Sequence, residues 1–162
     1  MPSTTSPDQI VRDIINANLY MVLATADRSG RPWSTPVYFA DRDCQEFYWV
    51  SSPRSAHSRN LDVRPQVGIA IFDSSAPIGT GQGVYMSTVA EPVSDRDIER
   101  GIEIFSRRSL SHGGHAWTIA DVQDTTGLRL YHAVAEDHWI LAKDGQPDHR
   151  IPVQLTAGQA PD

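Results

Sequence analysis

The chain has 162 residues with 14 basic and 20 acidic side chains, a formal charge of −6. That length makes one domain with a single core, and the acidic balance argues against a protein that coats nucleic acid or an anionic membrane, since both require a cationic footprint. Apolar residues at 40% and charged residues at 21% describe a globular chain rather than a disordered one.

Met1 to Gln9 is polar, without a leader-like basic and apolar pattern, and no apolar run reaches bilayer length. The expectation is a cytoplasmic protein with neither a nucleic-acid nor a membrane partner. Cys44 is the one cysteine, which excludes an intrachain disulfide and the cysteine-rich zinc layouts.

In chain order, Ser6 reads as an N-cap, Pro7 as the first helical residue and Gln9, three residues on from the cap, as completing a capping box. Ile10, Val11, Ile14 and Ile15 then form one apolar stripe. Leu19 to Thr25 and Pro32 to Phe39 read as two strands joined by the turn Asp27-Arg28-Ser29-Gly30. A second turn at Asp41-Arg42-Asp43 leads to the aromatic strand Glu46 to Ser51. Ser52-Pro53 predicts a short helix reaching Leu61. Strands follow at Val67 to Ile71 and Val84 to Ala90, separated by a loop over Asp73 to Gln82 rich in Gly, Ser and Pro. Ser94 opens a third helix with Ile98, Ile102 and Phe105 on one face, and Thr118 with Asp121 marks one further helical turn. Leu128 to Val134, His138 to Leu141 and an extended piece at Arg150 to Leu155 close the chain.

Six or seven strands in consecutive meanders, with three or four helices between them, disfavour a doubly wound parallel sheet. They fit a mainly β, α+β chain: a small antiparallel barrel with peripheral helices. Residues 1–162 read as one domain, frayed at 1–5 and 158–162.

Three segments carry candidate chemistry. Arg31-Pro32-Trp33-Ser34-Thr35-Pro36-Val37 holds two prolines in a strand pattern, which places it at an edge or a bulge. Free backbone groups there suit the polar rim of a flat heterocycle, while the prolines alone also protect an edge from aggregation. Ser51 to Asn60 puts four serines, Arg54, Arg59 and His57 at a helix start, where amides and the dipole favour a phosphate; Ser55 and Ser58 offer hydroxyls, and Arg54 or Arg59 a fork. A solvated, serine-capped helix face has the same residues. The Gly79, Gly81 and Gly83 loop fails the dinucleotide spacing, yet it permits close backbone approach, with Gln82 at the strand mouth. It reads equally as a flexible hairpin connection.

His112-Gly113-Gly114-His115 lacks a third metal ligand and reads as a solvent loop, so no metal site is assigned. Cys44 has no cationic helix start beside it and is not read as a catalytic thiolate. The four tryptophans read as core, with Trp139 beside His138 held open as a stacking residue.

The order of Leu23-Ala24-Thr25 with Gly30-Arg31-Pro32 and Ser34-Thr35-Pro36-Val37, then Ser51-Ser52-Pro53 with His57-Ser58-Arg59-Asn60-Leu61 and Pro65-Gln66-Val67, then Ile71-Phe72-Asp73 with Gly81-Gln82-Gly83-Val84-Tyr85 and Ala90-Glu91, resembles the pyridoxamine 5′-phosphate oxidase-like family of FMN-binding split β-barrels. The resemblance covers Leu19 to Val93 well and the tail from Tyr131 to Val153, with Trp139 and Arg150, more loosely.

It implies a six-stranded antiparallel split barrel that forms a homodimer, with FMN between subunits. By position, Arg31, Trp33, Ser34, Thr35, Pro36 and Val37 line the isoalloxazine, mainly through backbone. Val50 and Ser51 lie near the ribityl chain, Ser55, His57, Ser58 and Arg59 near the phosphate, and Gln82 or Gly83 comes from the partner, with Trp139 in the tail. The family's Ser-Arg-Lys triplet is Ser55-Ala56-His57 here. Asp148-His149-Arg150 departs from the residues that hold the substrate phosphate in pyridoxamine 5′-phosphate oxidases.

The implied activity is therefore FMN-dependent oxidoreduction of a small substrate other than the vitamin, with catalytic residues unassigned. Two alternatives stay open. One is a deazaflavin coenzyme, whose anionic tail asks for extra cations. The other is non-catalytic binding of flavin or haem, with His112, His115, His132 or His138 as axial ligand.

Overall fold

The computed structural model describes residues 5–156. Its first helix, α1 (Pro7–Ala17), starts where Ser6 Oγ accepts the Gln9 amide at 3.2 Å. The Gln9 side chain turns forward to Asp13 instead of back to the cap, so only half of the expected box forms. Val11 and Ile15 are fully buried, with Ile10 and Ile14 packed beside them.

Strands β1 (Tyr20–Ala26) and β2 (Pro32–Tyr38) form an antiparallel hairpin. Its turn is built on Asp27, whose carboxylate accepts from the Ser29 amide and hydroxyl and from the Arg31 amide. Gly30 supplies the positive φ of 88° that the turn needs.

The short β3 (Ala40–Arg42) leads through Asp43 and Cys44, both left-handed, into β4 (Glu46–Ser51). Next come α2 (Ala56–Val63), β5 (Gln66–Phe72), β6 (Gly83–Pro92) and α3 (Ile98–Ser111). Two 3-10 turns at Ile119–Val122 and Asp124–Thr126 precede β7 (Arg129–Leu141) and β8 (Arg150–Val153). The first is the helical turn expected from Thr118 and Asp121, and the Thr118 amide and hydroxyl both donate to the Asp121 carboxylate.

The sheet runs β2-β1-β5-β6-β7-β4-β3, with β8 also on β7. Its two end strands, β2 and β3, are separated in sequence by Phe39 alone. A sheet whose edges are tied by one residue must curl, and the result is the expected split barrel, with eight strand segments instead of six or seven. One apolar cluster, including Leu23, Phe39, Phe47, Trp49, Ile71 and Tyr131, fills the interior. A second lies under α3, around Tyr48, Ile102, Phe105 and Leu130.

Two expectations need correction. The second helix starts at Ser55, not Ser52: the Ser52 carbonyl and hydroxyl accept the Ser55 and Arg54 amides in a turn, and Ser55 Oγ then caps the helix. The pieces at 128–134 and 138–141 are one strand, because the register shift opposite Ser87 and Thr88 leaves Glu136 as an unpaired extra residue. That bulge lets one edge of β7 pair first with β4 and then with β8. The expected fraying at 1–5 and 158–162 lies, except for Thr5, outside the described residues.

Candidate functional site

The main cavity is the one that gathers most of the predicted ring and ribityl residues together with His57; it measures about 610 Å³ and opens where β2, the end of β4, the start of α2 and the far end of α3 converge. Thr35, Pro36, Val37 and Tyr38 come from β2, Val50 and Ser51 from β4, and His57 from α2. Leu19, Phe105, Trp117 and Leu128 give most of the remaining wall its apolar character. The size falls within the range of small-molecule and cofactor sites. Pro36 has no N–H, and β2 ends the sheet path, so its outer edge offers backbone groups to a ligand, as its prolines predict.

One end of the cavity is polar. His57 Nε2 lies 2.8 Å from Ser51 Oγ and 3.2 Å from Ser55 Oγ, and Ser55 Oγ donates to Ser58 Oγ at 2.8 Å. Ser55 Oγ also accepts the Ser58 amide, while the amides of Ala56 and His57, in the first turn of the helix, have no intrahelical acceptor. His57 and Ser58 are buried, and burial pushes the imidazole below its ordinary range. Hydroxyls, first-turn amides and a titratable ring together form a cradle suited to a phosphate.

The other end of the cavity holds Tyr38, His112 and His115. Tyr38 Oη and His112 Nδ1 are 3.0 Å apart, and the His115 ring lies 4.5 Å from that of Trp117. The expected solvent loop at 112–115 is thus part of the cavity wall. Phe105 shows in the sequence only as a core position, and nothing there ties residues 105–117 to β2; that contact is purely tertiary.

The remaining candidates lie elsewhere in the single chain. Arg31, Trp33 and Arg59 line a second cavity of about 720 Å³ with Asp27, Arg28 and Asn60. Trp33 is 52% exposed, contrary to the core reading. Arg59 Nη1 donates to the Arg54 carbonyl, so its fork serves the backbone. Ser34 is exposed on β2, opposite Ala24. Gln82 Nε2 donates to the Leu141 carbonyl, and its Oε1 accepts the amides of Leu141 and Gly83, a side-chain clamp at the end of the β6–β7 ladder. Trp139 lines a smaller hollow with Tyr85 and Met86.

Cys44 is buried, and burial together with Asp41 pushes its thiol up to about 12, too high for a nucleophile. His138 is buried in the interior, where its Nε2 donates to the Cys44 carbonyl at 2.7 Å. Among the described residues no three His, Cys, Asp or Glu side chains gather as metal ligands, and no helix is long and apolar enough to cross a membrane.

The profile of the pyridoxamine 5′-phosphate oxidase family matches residues 7–136. The chain belongs to that family. Among curated proteins none is similar in sequence. Several solved structures share the fold of this oxidase-family chain at low identity.

A haem-binding protein from Mycobacterium smegmatis superposes with a TM-score of 0.70 at 17% identity, over 92% of this chain and 59% of its own. HutZ, the haem storage protein of Vibrio cholerae, gives 0.59 at 20% identity, over 78% of this chain and 88% of its own. Campylobacter jejuni ChuZ gives 0.70 at 15% identity, over 93% and 61%. The chain thus spans about three fifths of the first and third of these relatives.

Proposed function

We propose that this member of the oxidase family binds FMN in the main cavity and acts as an oxidoreductase on a small substrate. The observation that carries the reading is the pairing, in one cavity, of Ser51 and His57, whose ring is also within hydrogen-bond distance of the helix-capping Ser55 hydroxyl, with an apolar slot along the β2 edge. Ser51, Ser55, His57 and the amides of Ala56 and His57 hold the phosphate. Backbone groups of Thr35 to Val37 orient the ring, while Leu19 and Val50 keep water from it. FMN, when bound, supplies two-electron chemistry that no side chain of the cavity can perform.

The reading includes a homodimer. The open edge of β2, the exposed Trp33 and the fully exposed Ile78 at the tip of the Asp73–Gln82 loop support it, since Gln82, Gly83 and Trp139 reach a cofactor only from a second copy.

Fluorescence titration of the purified protein tests the proposal. FMN emission is expected to quench to saturation at one FMN per chain, and no quenching at tens of micromolar FMN overturns the reading. A second reading, haem binding without turnover, is favoured by His112 and His115 in the cavity wall and by the names of the haem-binding relatives. A Soret band on haem titration that disappears in both His112→Ala and His115→Ala, with no FMN quenching, selects it. A deazaflavin coenzyme run alongside separates the third reading, for which Arg28, Arg31 and Arg59 in the second cavity form a local cationic patch.

A further inference from the structure

The α3 end of the main cavity carries a hydrogen-bonded phenol and imidazole that cofactor binding does not use. Tyr38 Oη and His112 Nδ1 are 3.0 Å apart. Tyr38 is half-buried and His112 exposed, so the pair joins the cavity interior to bulk water. The Tyr38 ring packs edge-on against Phe105 at 5.6 Å and Tyr20 at 6.2 Å, which fixes the position of its hydroxyl.

Burial pushes this phenol above its ordinary range, while Arg108 acts in the opposite direction. The phenol therefore keeps its proton at neutral pH, with a cation close by to ease its loss. Arg108 is itself anchored, by Asp41 at 2.6 Å and by the carbonyls of Ile15 and Asn18. The other titratable groups at this end are Tyr20 from β1 and His112 and His115 from the α3 terminus. Phe105, Trp117, Val37 and Leu128 supply apolar walls, which suit a flat ring.

We propose that Tyr38 and His112 form a proton-delivering subsite for a flat conjugated carbonyl compound, an enone or a quinone, reduced in this cavity. The proposal rests on the flavin reading for its source of electrons. With its proton on Nδ1, His112 donates to Tyr38 Oη and leaves the phenolic hydrogen free for an acceptor in the cavity.

The flavin, when bound and reduced, would supply the hydride for a new C–H bond at the conjugated carbon. The carbon–carbon π pair shifts towards the carbonyl, whose oxygen takes the proton of Tyr38. The phenolate recovers a proton from His112 Nδ1, and the imidazole takes one from water. The acceptor gains two electrons as one hydride and one proton, and the flavin is oxidised by the same two electrons. Tyr38 is the catalytic residue in this scheme and His112 the positioning residue.

The probe is 2-methyl-1,4-naphthoquinone, titrated calorimetrically into cofactor-free protein and then mixed with the chemically reduced FMN complex in a stopped-flow experiment. Tyr38→Phe keeps the packed ring and removes only Oη. It is expected to weaken quinone binding about threefold to tenfold, as loss of one hydrogen bond does, and to slow flavin reoxidation by quinone about 100-fold or more. His112→Gln, whose amide still donates to Oη, keeps the quinone affinity that His112→Ala loses. Quinone affinity unchanged in Tyr38→Phe, or no quinone binding to the wild-type protein, overturns the proposal. If FMN fails to bind while quinone affinity still depends on Tyr38, the subsite is supported and the flavin reading falls.

Discussion

His57 Nε2 is shared between the hydroxyls of Ser51 and Ser55, and burial holds the ring below its ordinary titration range. The folded, empty site therefore favours the neutral ring. Stability from this group is complete at neutral pH and is lost as pH falls below the ordinary histidine range, because the unfolded chain takes up the proton first. A bound phosphate reverses the preference, so binding takes up a proton and FMN affinity is expected to rise as pH falls from 8 towards 6. Below that the phosphate loses its own second charge, at a pKa of about 6, and the gain ends. His57→Lys puts a fixed cation in the cradle; it is expected to tighten FMN binding about tenfold at pH 8, the scale of a charge-assisted hydrogen bond, and to flatten the profile above pH 6. Equilibrium titrations across that range check it, and a profile that His57→Lys leaves unchanged removes His57 from the phosphate site. Arg108 presents a structural counterpart. It bridges Asp41, the Ile15 and Asn18 carbonyls and the Phe39 ring, with side chains of the ion pair only 13% and 9% exposed. Arg108→Ala leaves Asp41 without its partner in a nearly closed site, and a loss of about 3–5 kcal/mol is expected in urea unfolding.

Among the elements, the Gln82 clamp shows how a side chain extends a ladder beyond its last backbone pair. Its amide meets both the N–H and the C=O of Leu141, as a strand residue does. Gln82→Ala is expected to speed hydrogen exchange at the Leu141 amide by one to two orders of magnitude and to cost about 1–2 kcal/mol. If Leu141 exchange stays unchanged, the clamp is not what protects that strand end. The sequence reads this residue as a ligand contact, since a polar side chain at a strand mouth looks the same for either purpose. What was legible is what short-range chemistry decides: the Ser6 cap, the Asp27-Gly30 turn, the helical turn at Thr118 and Asp121, and the edge position of a strand with two prolines. The helix start at Ser55 was missed because Ser52-Pro53 carries the same local signal three residues early. The continuity of β7 was missed because Glu136-Asp137 reads as a break, whereas a bulge absorbs the extra residue. The His112–Tyr38 contact spans 74 positions, and no local pattern announces a pairing at that range.

At the scale of the whole molecule, the sheet is closed through Phe39 on one side and left open along the outer edge of β2. An unpaired edge is ordinarily shielded against other chains, and Pro32 and Pro36 interrupt its donors. Yet Trp33 stands 52% exposed on this hairpin, a large aromatic surface that a monomer has little reason to present. A twofold interface presents the same patch from both copies, so one substitution there acts twice. Sedimentation is expected to give twice the mass of one chain at micromolar concentration, and Trp33→Arg to return it to a single chain. In that variant the cradle of Ser51, Ser55 and His57 remains intact, since Trp33 lines the other cavity. A loss of FMN affinity that accompanies dissociation, and that is restored by raising the protein concentration, then shows that the second copy completes the cofactor site. FMN binding that is equally tight in the monomeric variant shows that one chain suffices, and Gln82, Gly83 and Trp139 have no part in holding the flavin.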